Sequence, residues 1–311
     1  MKICVASPYP LSELKGNSVT TRRIVDILNE AGFEARGSHE FDGAPADVLI
    51  SLHAFKGEKA VLDFQRYCPD GKVIVLITGT DLYVDLPEGR GLSSLETADA
   101  IAITHEEARA SMPSRFYDKL HIVPSCLAVL EIQAKPDAGK FVISVVGHLR
   151  SVKRSFLTIE SVAKHPEWDV EVWQIGEALD EEMSDIACDW EEADSRYKWL
   201  GGLPREESLE ICSRSSLTVN SSFLEGGANA VLEAMTMGVP ILASRIEGNV
   251  GLLGRDYPGY FEGEDIESKL VEVMAGKHDL DDWASLAEKR LPLFSRESEK
   301  TAWEKVIEDV N

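Results

Sequence analysis

Short apolar runs alternate with helical stretches along the whole chain, and no other feature of the sequence restricts the fold as much. Each run is bounded by Gly, Pro or Asp and has the length of a buried strand. Strands that alternate with crossover helices predict parallel sheets covered on both faces. The predicted strands are 3–6, 48–52, 73–77, 100–104 and 122–123 in the first half, and 141–146, 170–175, 217–220 and 240–243 in the second.

The helices are predicted from apolar spacing and from capping residues. In the first helix Asn17 or Ser18 is placed to cap the start, and Gly32 suits the C-terminal end. Its inward stripe is Ile24, Ile27, Leu28 and Ala31. Further helices are predicted near 154–165, 181–193, 205–214 and 229–237.

The strand and helix pattern stops once, at 133–140, where Pro, Gly and charge occur together without apolar periodicity. Since 311 residues are about twice the soft prior of ~150 per domain, we predict two domains. The first covers 1–132 and the second 140–294, while a polar helix at 295–311 is long enough to pack back on the first. The fold class is α/β, with two Rossmann-like, doubly wound parallel sheets facing a cleft, and ligands at the carboxyl ends of the strands. The apolar contacts of the final helix are predicted to be Trp303, Val306 and Ile307.

The charge of the chain restricts its partners. The sequence has 54 acidic and 32 basic residues, a formal net charge of −22, so it repels nucleic acids and anionic lipid. No apolar run approaches the ~18 residues of a membrane span. The five cysteines form no CxxC pair, and the N-terminus reads as a strand rather than a signal peptide. We therefore expect a cytoplasmic protein that binds small molecules, with no nucleic-acid or membrane partner.

A glycine pair between two glutamates follows the strand at 217–220. Gly226 and Gly227 open a helix whose N–H groups and dipole suit a phosphate. Glu225 precedes the pair and Glu233 lies about one and a half turns into the helix, so one carboxylate is placed for sugar hydroxyls and the other for a ribose. The same spacing also fits a tight turn with two solvated glutamates.

Two further loops follow predicted strands. The first, after residue 146, carries Arg150, Lys153 and Arg154, which are suited to neutralise a leaving diphosphate. The second, after residue 6, contains Gly16, so it can approach a phosphate or sugar closely and open the next helix. A strand at 33–36 does not end in the acidic residue that a nicotinamide site requires, which argues against a dehydrogenase.

Together, Gly16, Arg150, Lys153 and the Glu225-x7-Glu233 spacing resemble the large retaining GT-B family of glycosyltransferases, which uses nucleotide-activated sugars. The resemblance covers nearly the whole chain. In that family a Gly-Arg-Leu…Lys run binds the diphosphate; here His148 stands at the Arg position, and Arg150 is the candidate for the missing guanidinium. Several runs are also similar to a compact subgroup that contains the selenosugar synthases of selenoneine biosynthesis: 51–54, 78–83, 146–150, 196–201, 225–229, 243–249 and 251–261.

The resemblance implies a reaction and a set of site residues. Selenophosphate attacks the anomeric carbon of a UDP-sugar, expected to be UDP-N-acetylglucosamine, and UDP leaves. The implied catalytic residues are Glu225, His53, Arg150 and Lys153. The implied donor site consists of Gly16, Asn17, Gly147, His148, Arg150, Lys153, Leu200, Glu225, Gly226, Gly227, Ala228, Asn229 and Glu233. The implied acceptor site consists of Lys15, Arg22, His53, Thr80 and Asp81, with Arg23 and Lys56 as further cations.

No cofactor and no metal are expected, because the sequence has no Asp-x-Asp motif in a plausible donor loop, and Asp81 and Asp85 read as loop-capping residues. Alternative functions remain open at this point. One is an ordinary GT-B glycosyltransferase with a small hydroxyl or thiol acceptor. Another is a UDP-sugar 2-epimerase, which turns over without an acceptor. A third is a sugar-nucleotide sensor that binds UDP without catalysis.

Overall fold

The computed structural model describes residues 1–13, 16–127, 132–137 and 139–311. The chain divides into two compact units. Unit 1 comprises Met1–Cys126 and Leu293–Asn311, and unit 2 comprises Leu127–Pro292. The division falls before residue 132, the boundary predicted from composition.

Unit 1 is built on a six-stranded sheet with the order β2-β1-β3-β4-β5-β6. All of its neighbouring strands pair in parallel. The strands are β1 (Lys2–Ser7), β2 (Glu34–His39), β3 (Val48–Leu52), β4 (Lys72–Leu76), β5 (Ala100–Ile103) and β6 (Leu120–Ile122). Its first helices are α1 (Gly16–Glu30), α2 (Glu58–Tyr67) and α3 (Leu92–Thr97).

Alternate residues of β1 point to opposite faces of this sheet, as the pleat requires. Ile3 and Val5 belong to the core cluster that includes residues of α1. Cys4 and Ala6 belong to the cluster that includes residues of α2. Both faces are therefore buried, which explains why the central strands read as continuous apolar runs.

Helix α1 differs from its prediction at one end. It begins at Gly16, so Asn17 and Ser18 lie within its first turn, and the Ser18 hydroxyl donates to the Pro10 carbonyl at 3.0 Å. At the other end Gly32 has a φ of 86°, the left-handed conformation that suits a helix C-terminus.

Unit 2 repeats the architecture with the strand order β12-β11-β10-β7-β8-β9, again parallel throughout. Its strands are β7 (Phe141–Val146), β8 (Val170–Ile175), β9 (Tyr197–Trp199), β10 (Leu217–Asn220), β11 (Ile241–Ser244) and β12 (Tyr260–Phe261). Its helices are α4 (Leu157–Val162), α5 (Glu181–Ala193), α6 (Arg205–Ser213), α7 (Asn229–Met237), α8 (Glu247–Leu253), α9 (Ile266–Met274) and α10 (Leu280–Glu288).

The order of strands in unit 2 fixes where its ligand loops meet. From β7 the chain builds outward through β8 and β9, then returns to the other side of β7 with β10. The loops that follow β7 and β10 therefore leave the sheet in adjacent positions, at the topological switch point where open α/β sheets bind ligands.

The final helix, α11 (Arg296–Val310), belongs to unit 1. Trp303, Val306 and Ile307 are buried on it, as predicted. The buried Glu299 carboxylate accepts the backbone N–H of Cys126 at 2.7 Å and pairs with Arg23 at 3.1 Å. None of the described helices has the length and apolar character needed to cross a membrane.

Candidate active site

The loops after β7 and β10 are joined by direct hydrogen bonds. The Phe223 N–H donates to the Val152 carbonyl at 2.8 Å, and the Ser221 hydroxyl donates to the Lys153 carbonyl at 2.9 Å. One small cavity is lined by residues of both loops, including Gly147, Lys153 and Ser222. The predicted donor residues of these two segments are therefore brought together in space.

Gly147 begins the first loop with a φ of 148°, which favours glycine. The loop then passes directly over Gly176, where a Cβ atom would lie 1.9 Å from the Gly147 carbonyl oxygen. Side-chain-free backbone at both positions thus allows the loop to lie close against the strand ends.

Lys153 and Glu225 form the centre of the site. The Lys153 ammonium directly contacts Oε1 of Glu225, and the Ser222 hydroxyl donates to the same oxygen at 2.7 Å. Their side chains remain 27% and 13% exposed. A cation and a carboxylate therefore meet at the solvent-facing end of the sheet.

The other two cations of the first loop differ in their surroundings. Arg150 and His148 are exposed, and within the described part of the chain the Arg150 guanidinium has no ion pair. Arg154 instead donates to the carbonyls of Ser221 at 2.6 Å and Gly263 at 2.5 Å. Burial lowers the pKa of this guanidinium. These hydrogen bonds hold the β10 loop, and the role of Arg154 in neutralising a diphosphate stays a prediction.

The start of α7 has the geometry expected of an anion site. Gly227 has a φ of 140°, and the N-cap residue, Ala228, offers no capping side chain to the first turn. Asn229 is exposed at the first helical position. Free N–H groups and the positive end of the helix dipole are thus directed away from the helix beside Glu225.

Glu233 lies further along α7 and is 14% exposed. Its Oε1 accepts a hydrogen bond from Nε of Arg205 at 3.0 Å. Burial raises the pKa of the Glu233 carboxyl, and Arg205 offsets only part of this effect. Sequence reasoning missed Arg205, which stands 28 positions before Glu233 and shares no motif with it.

Leu200 follows β9, and its N–H donates to the Gln174 carbonyl at 2.9 Å. Next to it is a cavity of about 510 Å³, whose lining includes Glu177, Trp199 and Gly201. The sequence analysis did not predict this cavity, because its walls come from separate loops that share no motif.

His53, the predicted catalytic residue of unit 1, is buried. The residue is 2% exposed and has a φ of 72°. Its Nδ1 accepts the Lys56 N–H at 3.2 Å, while Nε2 lies 3.6 Å from the buried Asp85 carboxylate. Burial lowers the pKa of the imidazole, and the two nearby aspartates offset only part of this. The ring thus contacts its own loop, and a role of His53 toward substrate stays a prediction.

The Asp81 carboxylate forms hydrogen bonds with backbone N–H groups of unit 1. The residue is fully buried, and its carboxylate accepts hydrogen bonds from the N–H groups of Thr78 and Ala54, both at 2.8 Å, and from Leu82 at 3.1 Å. Both oxygens therefore accept hydrogen bonds within unit 1, and the role of Asp81 in acceptor binding stays a prediction. Thr80, one residue earlier, is exposed.

The remaining acceptor candidates of unit 1 differ in their contacts and exposure. Arg22 donates to the carbonyls of Leu11 and Glu13, and Arg23 pairs with Glu299. Lys56 is exposed and donates to the Tyr9 hydroxyl at 2.6 Å. Gly16 is exposed and Asn17 half-buried. Lys15 lies outside the described residues.

Within the described residues, no group of three or more His, Cys, Asp or Glu side chains is arranged to hold a metal ion.

Comparisons with known proteins agree with this geometry. The family model for glycosyl transferases group 1 matches residues 130–288. "Glycosyltransferase 1 domain-containing protein 1" of Xenopus tropicalis is 27% identical over 274 residues, covering 78% of this chain and 79% of that protein.

Solved structures match both units. Sucrose-phosphate synthase from Thermosynechococcus elongatus aligns over 100% of this chain and 99% of its own, with a TM-score of 0.78 and 10% identity. Anabaena HepE in complex with UDP and glucose aligns over 99% of this chain and 98% of its own, with a TM-score of 0.68 and 14% identity. At such identities the likeness concerns the fold.

Proposed function

The chain belongs to the group 1 glycosyl transferases and has the GT-B fold, and from this premise we propose that it transfers a sugar from a UDP-sugar to selenophosphate. The observation that supports a nucleotide-sugar donor most directly is the convergence of Lys153, Glu225 and the start of α7 at one switch point. A UDP-type donor is supported further by the similarity to HepE, which was solved with UDP and glucose.

Unit 2 is proposed to bind the donor. Lys153, Arg150 and the N–H groups at the start of α7 bind the diphosphate and stabilise the charge that develops on departing UDP. Glu225 accepts hydrogen bonds from sugar hydroxyls, and Glu233 accepts them from the ribose. The base occupies the cavity of about 510 Å³ beside Leu200, which falls in the usual size range of ligand pockets.

The acceptor is proposed from the resemblance to the selenosugar synthases. Selenium of selenophosphate forms a bond to the anomeric carbon while the bond between that carbon and the β-phosphate oxygen breaks, which releases UDP. Hydrolysis of the Se–P bond then gives the selenosugar and phosphate. Selenium is a soft nucleophile, so this step requires no strong general base. This agrees with the burial of His53. Among the described acceptor candidates of unit 1, Lys56 is the exposed cation that we assign to this anion.

An acceptor competition tests the proposal. UDP-N-acetylglucosamine is incubated with selenophosphate, thiophosphate, phosphate and a panel of sugar alcohols in one mixture, and the products are identified by mass. We expect the selenium product to dominate. Preference for a hydroxyl acceptor would instead make the protein an ordinary glycosyltransferase, and turnover without any acceptor would indicate an epimerase.

A further inference from the structure

We propose that Lys153 and Glu225 form a latch that lets the donor site favour a UDP-sugar over UDP. The inference rests on the proposed donor site but is independent of the acceptor. Each residue has a separate task in that site: Lys153 binds the diphosphate and Glu225 binds the sugar. In the structure these two groups contact each other directly, so a donor must separate them.

The latch is held by loops that are themselves fixed. Two hydrogen bonds join the loops. The Phe223 N–H donates to the Val152 carbonyl, and the Ser221 hydroxyl donates to the Lys153 carbonyl. On the far side of Glu225, Gly248 packs so closely that a Cβ atom there would lie 2.2 Å from the Glu225 carbonyl oxygen. The backbone around Glu225 therefore has little room to move, and the pair opens by rotation of the side chains.

The two ligands compensate the broken ion pair differently. UDP gives Lys153 a phosphate partner but leaves the Glu225 carboxylate without its cation, next to a new negative charge. A UDP-sugar gives Lys153 the same phosphate and gives Glu225 hydroxyl donors. Charge-assisted hydrogen bonds of this kind are stronger than neutral ones. The latch thus weakens product binding more than donor binding, which favours UDP release after transfer.

A double-mutant cycle measured by calorimetry tests the latch. UDP is titrated into the unaltered protein, Glu225→Gln, Lys153→Met and the double variant. Glutamine keeps the shape of the side chain and its contact with Ser222 but removes the charge. We expect Glu225→Gln to bind UDP about 1.5- to 5-fold tighter, the range for a partly exposed ion pair. In the Lys153→Met background the same change should give a smaller gain, because only the repulsion between the carboxylate and the phosphate is then removed.

Comparing the effect of Glu225→Gln on UDP affinity with and without Lys153 distinguishes a direct latch from general repulsion. If Glu225 only repelled UDP through its negative charge, Glu225→Gln would tighten binding equally with and without Lys153, and the latch would be refuted. Weaker or unchanged UDP binding by Glu225→Gln would refute it as well. Glu206→Gln, at an exposed carboxylate on α6, is the matched control for loss of one charge and should leave UDP affinity unchanged.

A second titration, with UDP-N-acetylglucosamine, measures the discrimination itself. We expect the affinity ratio of UDP-sugar to UDP to fall in Glu225→Gln, and an unchanged ratio would overturn the proposal. Thermal unfolding of each variant shows whether it is folded. Failure of the unaltered protein to bind UDP would refute the proposed function together with the latch. UDP binding without any coupling between the Glu225 and Lys153 substitutions would refute the latch alone.

Discussion

The cations beside the proposed diphosphate site differ in what already surrounds them. Arg154 is held by backbone carbonyls, Lys153 contacts one carboxylate, and Arg150 is exposed. A departing diphosphate gains most from donors that are not committed to the fold. Catalysis is therefore expected to depend on Lys153 and Arg150, while Arg154 supports the loop that carries Glu225.

Replacing Lys153 or Arg150 removes stabilisation of the leaving group. We predict that Lys153→Ala and Arg150→Ala each lower turnover on the order of 10²-fold. Steady-state UDP release measures the effect. Lys164→Ala, at an exposed lysine of the same unit that pairs with Glu267, serves as the control and should retain full turnover. Turnover at the unaltered rate in both variants would exclude these residues from the site.

Glu233 is expected to contribute to nucleotide binding through its ribose contact. Glu233→Ala should weaken UDP binding by about 1–3 kcal/mol, because charge-assisted hydrogen bonds are lost. Isothermal calorimetry measures this difference. Arg205→Ala is the companion variant, since Arg205 is the partner of Glu233 in the structure. Unchanged UDP affinity in Glu233→Ala would show that the carboxylate only anchors Arg205.

Residue type at a strand end is visible in the sequence, but side-chain direction is not. His53 follows β3 as expected, yet its positive φ turns the ring into the protein. Arg154 stands in a cationic run, yet its partners come from β10 and from Gly263. Contacts between residues distant in sequence decided both cases, and no local pattern records them.

Among the elements, strands buried on both faces were the most predictable. β3, β7, β8 and β10 match their predicted bounds, because continuous apolar runs mark central parallel strands. β9 and β12 were not predicted. They lie at the two edges of the second sheet and have three and two residues, which is too short for a recognisable run.

A short helix in unit 1 makes stability depend on pH. His105 caps the 3₁₀ turn Glu106–Ser111, accepting the Ala108 N–H at 3.1 Å, and burial lowers its pKa to about 4. Its ordinary value is 6.5, so the unfolded chain binds the extra proton first as the pH falls. Stability from this group is therefore present at pH 7 and is lost between about pH 6.5 and pH 4.

The variant that isolates this effect is His105→Asn, since asparagine also caps helices but does not titrate. Between pH 7 and pH 5 the unaltered protein should lose about 2 kcal/mol more unfolding free energy than the variant. Urea unfolding at the two pH values measures the difference. Equal losses in both proteins would mean that His105 is protonated in the folded state.

At the scale of the whole molecule, a net charge of −22 opposes the approach of an anionic donor. Binding therefore requires local positive charge, and Lys153, Arg150 and the start of α7 provide it in unit 2. We predict that turnover needs no divalent metal and that EDTA leaves the rate of UDP release unchanged. Loss of activity in EDTA with recovery on adding Mg²⁺ or Mn²⁺ would contradict this prediction.

The proposed reaction joins selenium to a sugar taken from a UDP-sugar. The most direct measurement is mass spectrometry of the products formed from UDP-N-acetylglucosamine with and without selenophosphate. We predict UDP and a sugar that carries selenium when selenophosphate is present, and unchanged donor when it is absent. UDP release with no selenium-containing sugar, or an epimerised donor in the absence of acceptor, would contradict the account.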